Sequence, residues 1–181
     1  MFAGSPLINV KGFEYLAPAL KILKDEGKQI QLKLHGYYMP GHQEWAQEIA
    51  KKEGIEDLLI WLSCSSEDEL IDAYQESMCS VIPYTDYSGA FPATMALATG
   101  TPVIASDLMG IPEYVNRNGI LIKGRSVGEL SAALRKIYTD DTLRTTMSQN
   151  ALKTAQEKYN FSYIARKTTD IYKNVCSLSR S

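Results

Sequence analysis

The chain has 181 residues, with 19 Lys and Arg against 21 Asp and Glu, for a net charge of −2. That length supports one full core, and the balanced charge, without a basic run interleaved with aromatics, argues against a dedicated nucleic-acid or anionic-membrane binder. No apolar run reaches the roughly 18–20 residues of a membrane span, and the first dozen residues lack the flanks of a secretory signal.

Phe2-Ala3 reads as a stub strand ending in Gly4-Ser5-Pro6. Phe13, Leu16, Leu20 and Leu23 then share one helical stripe over residues 13–25, closed by Gly27. Ile30, Leu32 and Leu34 alternate with polar residues, as strands do, and run into His35-Gly36. A helix over residues 43–52 and a strand over 58–62 follow. Ser66-x-x-Glu69 is a capping box that opens a helix carrying Leu70, Ile71 and Tyr74. Residues 79–83 form a buried strand. A glycine-bearing loop, a short helix ending at Gly100 and a second buried strand over 102–106 come next. After a short strand at 120–122, Ser126-x-x-Glu129 starts a helix with Val127, Leu130, Leu134 and Ile137 on one face. Leu143, Met147, Ala151 and Ala155 mark the next helix; Phe161, Ile164, Thr168, Ile171 and Val175 mark the last. Six strands separated by helices predict an α/β fold. Its sheet is parallel, six-stranded, doubly wound and Rossmann-like, with helices on both faces and right-handed crossovers. Residues 1–181 read as one compact domain.

Such sheets bind ligands at the carboxyl ends of the strands, where the strand order reverses. In the order 3-2-1-4-5-6 the crevice lies between the first and fourth strands, under the loops 4–12 and 84–92. Pro92 suits the first turn of a helix, where its missing N–H is not needed. The backbone amides of Ser88, Gly89 and Ala90, with Phe91 beside them, then form a phosphate cradle at a helix N-terminus. Lys11 stands opposite, placed to neutralise a phosphate. A plain crossover with a turn glycine, and a solvated Lys11, are the blander alternatives. No GxGxxG follows the first strand and no GxxxxGK[ST] occurs, so standard dinucleotide and P-loop sites are absent. Two histidines exclude a histidine-rich metal site. Cys64, Cys79 and Cys176 form no CxxC and read as buried thiols of a reducing, cytoplasmic setting. His35 reads as a hydrogen-bonded structural histidine, Glu113 as a helix-start residue after Pro112, and Trp45 and Trp61 as packing residues. Tyr37 and Tyr38 fall in a loop.

The order of these signals resembles the C-terminal, donor-binding half of GT-B fold glycosyltransferases, in the large retaining group that includes glycogen synthase and sucrose synthase. The matching pieces are KGFEYL from Lys11, His35-Gly36, Glu69-Leu70, Val81-Ile82-Pro83, ATGTPVIASD from Ala98, GIPEYV from Gly110, GILI from Gly119, and YNFSYIA from Tyr159. GTPVIASD followed by GxPEYV is the most specific of them.

The resemblance implies transfer of a sugar from a nucleotide diphosphate sugar, with retention and without a metal or other cofactor. It implies that the diphosphate lies on the helix N-terminus against a lysine, which matches Lys11. The family's arginine five residues earlier falls on Pro6, and its two central glutamates fall on Tyr87 and Met95. Tyr87 and Ser88 then offer hydroxyls to the donor sugar, and Met95 packs on the ribose. The base lies near Leu62, through backbone at the end of the third strand. Donor-binding residues implied in this way are Lys11, Tyr87, Ser88, Gly89, Ala90, Phe91, Met95 and Leu62, with Lys11 and Tyr87 as the catalytic candidates.

The implied partners are the nucleotide-sugar donor and an N-terminal acceptor half, which this chain lacks. Any peripheral membrane association would run through that half. The 181-residue chain alone is therefore expected to show no turnover. Two other readings stay open: a non-catalytic Rossmann-like binding or scaffold domain, and a fragment of a GT-B nucleotide-sugar epimerase.

Overall fold

The computed structural model describes residues 1–3, 10–36, 40–63, 66–86, 89–108 and 110–178. The elements alternate from the start: β1 (Phe2–Ala3), α1 (Phe13–Asp25), β2 (Leu32–His35), α2 (His42–Glu53), β3 (Leu59–Leu62), α3 (Glu67–Gln75) and β4 (Ser80–Ile82). They continue with α4 (Phe91–Thr99), β5 (Val103–Ser106), β6 (Gly119–Ile122), α5 (Val127–Thr139), α6 (Asp141–Lys158) and α7 (Phe161–Leu178). Short 3-10 turns at Glu56–Leu58 and Ile111–Glu113 complete the set. Glu113 thus closes a three-residue turn rather than opening a helix. No described helix is long and apolar enough to cross a membrane.

All strand pairs are parallel, but the six strands form two three-stranded sheets, β1-β2-β3 and β4-β5-β6, rather than one continuous ladder. The break falls at β1. That strand spans only two residues, paired with Leu34 and His35 of β2, and its hydrogen bonding toward β4 is confined, among the described residues, to a bridge at Met1. The sheets still meet edge to edge. The Met1 N–H donates to the Cys79 carbonyl at 2.8 Å, and the Val81 N–H donates to the Met1 carbonyl at 2.8 Å. Those are the two bonds of a single parallel bridge between Met1 and Ser80. Across this seam the spatial order runs 3-2-1-4-5-6.

Alternation along the strands divides the core in two. Phe2, Leu34, Val81, Ile104 and Ile122 face one side, beneath α1, α2 and α5 with Phe13, Leu16, Leu20, Leu130 and Ile137. Met1, Ile82, Tyr84, Val103 and Ala105 face the other, against Leu70 and Tyr74 of α3 and Ala93 and Ala96 of α4. The Phe13 ring stands edge-on to Phe2 at 6.1 Å and tilts against Trp45 at 6.2 Å, so Trp45 is packing, as its sequence context predicts. Trp61 also packs, half-buried, against the first core. α6 joins the two faces, with Met147 in the first core and Leu152 against Gly100 at the end of α4. α7 extends beyond, leaving Phe161, Ile171, Tyr172 and Val175 exposed. Of the cysteines, Cys79 is buried just ahead of β4, but Cys176 is exposed on α7, against the expectation of buried thiols. Cys64 lies outside the described residues.

The helix starts follow their sequence signals. Ser66 Oγ accepts the Glu69 N–H at 3.2 Å, Ser126 Oγ accepts the Glu129 N–H at 3.2 Å, and Asp140 Oδ1 accepts the Leu143 N–H at 2.8 Å. The Glu129 carboxylate does not complete its box. It accepts the Lys123 N–H at 2.7 Å instead, tying α5 to the loop after β6. Ser126→Ala removes one cap. It is expected to cost about 1 kcal/mol and to lower the melting temperature by about 2–4 °C, read by calorimetry; an unchanged transition would mean water caps α5 equally well.

Candidate functional site

Two loops cross at the carboxyl ends of β1 and β4. The Thr85 N–H donates to the Val10 carbonyl at 2.9 Å. Beside that bond Gly12 takes φ +75°, and a Cβ there would stand 1.8 Å from the Pro83 carbonyl oxygen. Only glycine permits so close an approach in this left-handed conformation. The crossing fixes Lys11. Its Nζ donates to the Tyr84 hydroxyl at 2.9 Å and lies 4.2 Å from the centre of the Tyr84 ring.

Burial shapes the electrostatics of this pair. Half-burial lowers the Lys11 pKa from that of free lysine. Burial pushes the Tyr84 phenol well above its ordinary range, so it stays neutral near pH 7. The result is a cation held on a neutral phenol, with no carboxylate among the partners described for it.

Past the loop that follows β4, α4 begins with Phe91 and Pro92, and its N-cap, Ala90, offers no side-chain acceptor. The Ala90 carbonyl accepts from the Ala93 and Thr94 N–H groups, at 2.9 and 3.0 Å. The N–H groups of Ala90 and Phe91 have no partner among the described residues. Gly89, Ala90 and Phe91 therefore form the predicted helix terminus, with Phe91 58% exposed. Such an end binds anions through its donors and its dipole.

The remaining predicted residues divide. Met95 and Leu62 are half-buried and pack on the second core, around Tyr74, Ile82 and Tyr84. Leu62 also sits at the end of β3, about 10 Å across the sheet edge from β1 at the usual strand spacing. Tyr87 and Ser88 lie outside the described residues, as do Pro6, Tyr37 and Tyr38. His35 ends β2, where burial lowers its pKa. Its Nδ1 is buried without a hydrogen-bond partner among the described residues, so at that atom it is not the satisfied structural histidine expected. One turn beyond Lys11, Glu14 Oε2 is likewise buried and unpartnered. Tyr84 was missed in the sequence. The signal was the period of two through Ser80, Ile82 and Tyr84, which puts all three on one face.

This geometry can be set beside known proteins. A sequence profile described as glycosyl transferases group 1 matches residues 5–154. The chain belongs to the group 1 glycosyltransferases. Within that family, an uncharacterized glycosyltransferase of Methanocaldococcus jannaschii is 26% identical over 166 residues, covering 90% of this chain and 42% of the archaeal protein. The chain thus spans less than half of that relative. Among solved structures, the C-terminal domain of the glycosyl transferase group 1 family protein LpcC from Francisella tularensis superposes with a TM-score of 0.74 at 20% identity. The match covers 88% of this chain and 86% of that domain. HepE from Anabaena, solved in complex with UDP, gives a TM-score of 0.78 at 20% identity, over 96% of this chain and 48% of its own. This group 1 chain has the fold of a GT-B C-terminal domain.

Proposed function

We propose that this chain is the donor-binding half of a retaining glycosyltransferase, taking a nucleotide diphosphate sugar and requiring no metal. The observation that carries the reading is the loop crossing. It sets the Lys11 ammonium at the carboxyl end of β4, the strand whose loop leads to the amides of Ala90 and Phe91, which have no partner among the described residues. A cation held at the end of the strand that leads into a helix N-terminus suits a diphosphate, which takes both a cation and backbone donors. The UDP bound by the Anabaena protein supports uridine diphosphate as the first nucleotide to try. Sugar, acceptor and turnover belong to a larger cytoplasmic protein in this reading, and the 181 residues alone transfer nothing.

Thermal-shift titration with UDP, GDP, ADP and NAD at millimolar concentration tests it. A ligand at a hundred times its Kd adds about 2.7 kcal/mol, which for a chain of this length raises the melting temperature by about 5–10 °C. One nucleoside diphosphate is expected to give that shift. No shift with any of them would leave a non-catalytic scaffold as the better reading, and sugar transfer by the chain alone would overturn its dependence on a second half.

A further inference from the structure

Beyond the Lys11 crossing, the loops that follow β4, β5 and β6 border an open cavity of about 530 Å³, lined in part by Thr85, Asp107, Lys123, Arg125 and Glu129. Arg125 has φ +63° and is the one non-glycine residue in the left-handed region among those described. That conformation costs an ordinary side chain about 1–2 kcal/mol and persists where the surroundings impose it, characteristically at functional sites. The Arg125 Nη2 lies 3.5 Å from the Thr85 carbonyl oxygen, a long hydrogen bond. Thr85 is also the residue whose N–H reaches Val10, and its neighbour Tyr84 holds Lys11. Two cations from loops 114 positions apart in the numbering are thus anchored on two consecutive residues at the end of β4. Beneath Gly124, where a Cβ would come 3.9 Å from it, the buried Ser106 Oγ has no hydrogen-bond partner among the described residues.

We infer that Arg125 is a second cation of the donor site, reaching the diphosphate from the β6 side while Lys11 reaches it from the β1 side. The inference rests on the donor reading above. A diphosphate carries more charge than one lysine neutralises, and a guanidinium offers paired N–H donors that fit phosphate oxygens. Both acidic side chains on the cavity, Asp107 and Glu129, oppose an anion there, and Glu129 is tied to the loop by the Lys123 N–H.

Arg125→Gly tests this without endangering the fold, because glycine adopts φ +63° freely. Its melting temperature should equal or exceed that of the native chain. Calorimetric titration with UDP, GDP and ADP should show the Kd of the preferred diphosphate rising about tenfold or more, while the Kd of its unphosphorylated nucleoside, measured by NMR, stays put. Asp107→Asn should tighten the diphosphate. An affinity within twofold of native in Arg125→Gly, with Lys11→Ala still weakened, would overturn the role of Arg125 and leave the donor reading standing. Equal losses for nucleoside and diphosphate would make Arg125 a structural residue only. Absence of any diphosphate binding by the native chain would overturn both.

Discussion

Gly12→Ala is expected to destabilise the chain by about 3 kcal/mol or more, lowering the melting temperature by about 6–12 °C. Two costs add. The first is conformational, since φ +75° asks alanine to sit in the left-handed region at about 1–2 kcal/mol. The second is a collision with backbone: the new Cβ would stand 1.8 Å from the Pro83 oxygen and 2.8 Å from its carbon. No side-chain rotation relieves that contact. The loops after β1 and β4 must part instead, and the 2.9 Å bond from the Thr85 N–H to Val10 goes with them. Gly27→Ala separates the two costs. Gly27 has φ +76°, yet its added Cβ would meet no atom within 4 Å, so it carries only the conformational part. Chemical denaturation of both variants reads the difference; equal losses would show that the loop crossing gives way at no cost.

The same crossing marks where the sequence stops being legible. Local periodicity placed the helices and strands well. The stripe of Phe13, Leu16, Leu20 and Leu23 is buried throughout, and Ser66, Ser126 and Gly100 cap the elements they were expected to cap. The place of Lys11 after β1 and the start of α4 were likewise legible, because strand order and helix-start chemistry give them. What pairs Lys11 with Tyr84 is a contact 73 residues apart in the chain, and no period encodes a partner at that distance. Met95 and Leu62 show a different limit. A motif gives a position along an element but not the surroundings of its side chain: both are half-buried against the second core, and the expectation for Leu62 concerns its backbone, which that packing does not bear on. Cys176 was misread because thiols usually lie inside, whereas α7 presents it to solvent. The sheet divides at β1, a strand of two residues whose side of the seam meets β4 through the single Met1 bridge.

Lys11→Ala is expected to weaken the preferred nucleoside diphosphate about 10- to 100-fold, the range set by a charge-assisted hydrogen bond of about 1.5–3 kcal/mol. Loss of a cation alone does not distinguish phosphate binding from a strut that packs on Tyr84, so the pH dependence decides. Half-burial makes the charged form of Lys11 less favourable, placing its pKa below that of free lysine, about 10.4. In the unliganded chain the folded state therefore holds this proton less tightly than the unfolded state does. Between the two pKa values the unfolded state carries more protons, and the contribution of Lys11 to stability rises with pH. Diphosphate binding needs the ammonium, so affinity must fall over that same interval. The two curves have opposite slopes, and one residue sets both. Lys11→Arg, whose charge persists to far higher pH, should retain binding and flatten both curves. Titrations at several alkaline pH values, run beside melting curves of the unliganded chain, measure the pair. If Lys11→Ala bound the nucleotide as tightly as the native chain, or if affinity ignored pH in the native protein, Lys11 would be a strut on Tyr84 and the phosphate site would have to be sought elsewhere on the crevice.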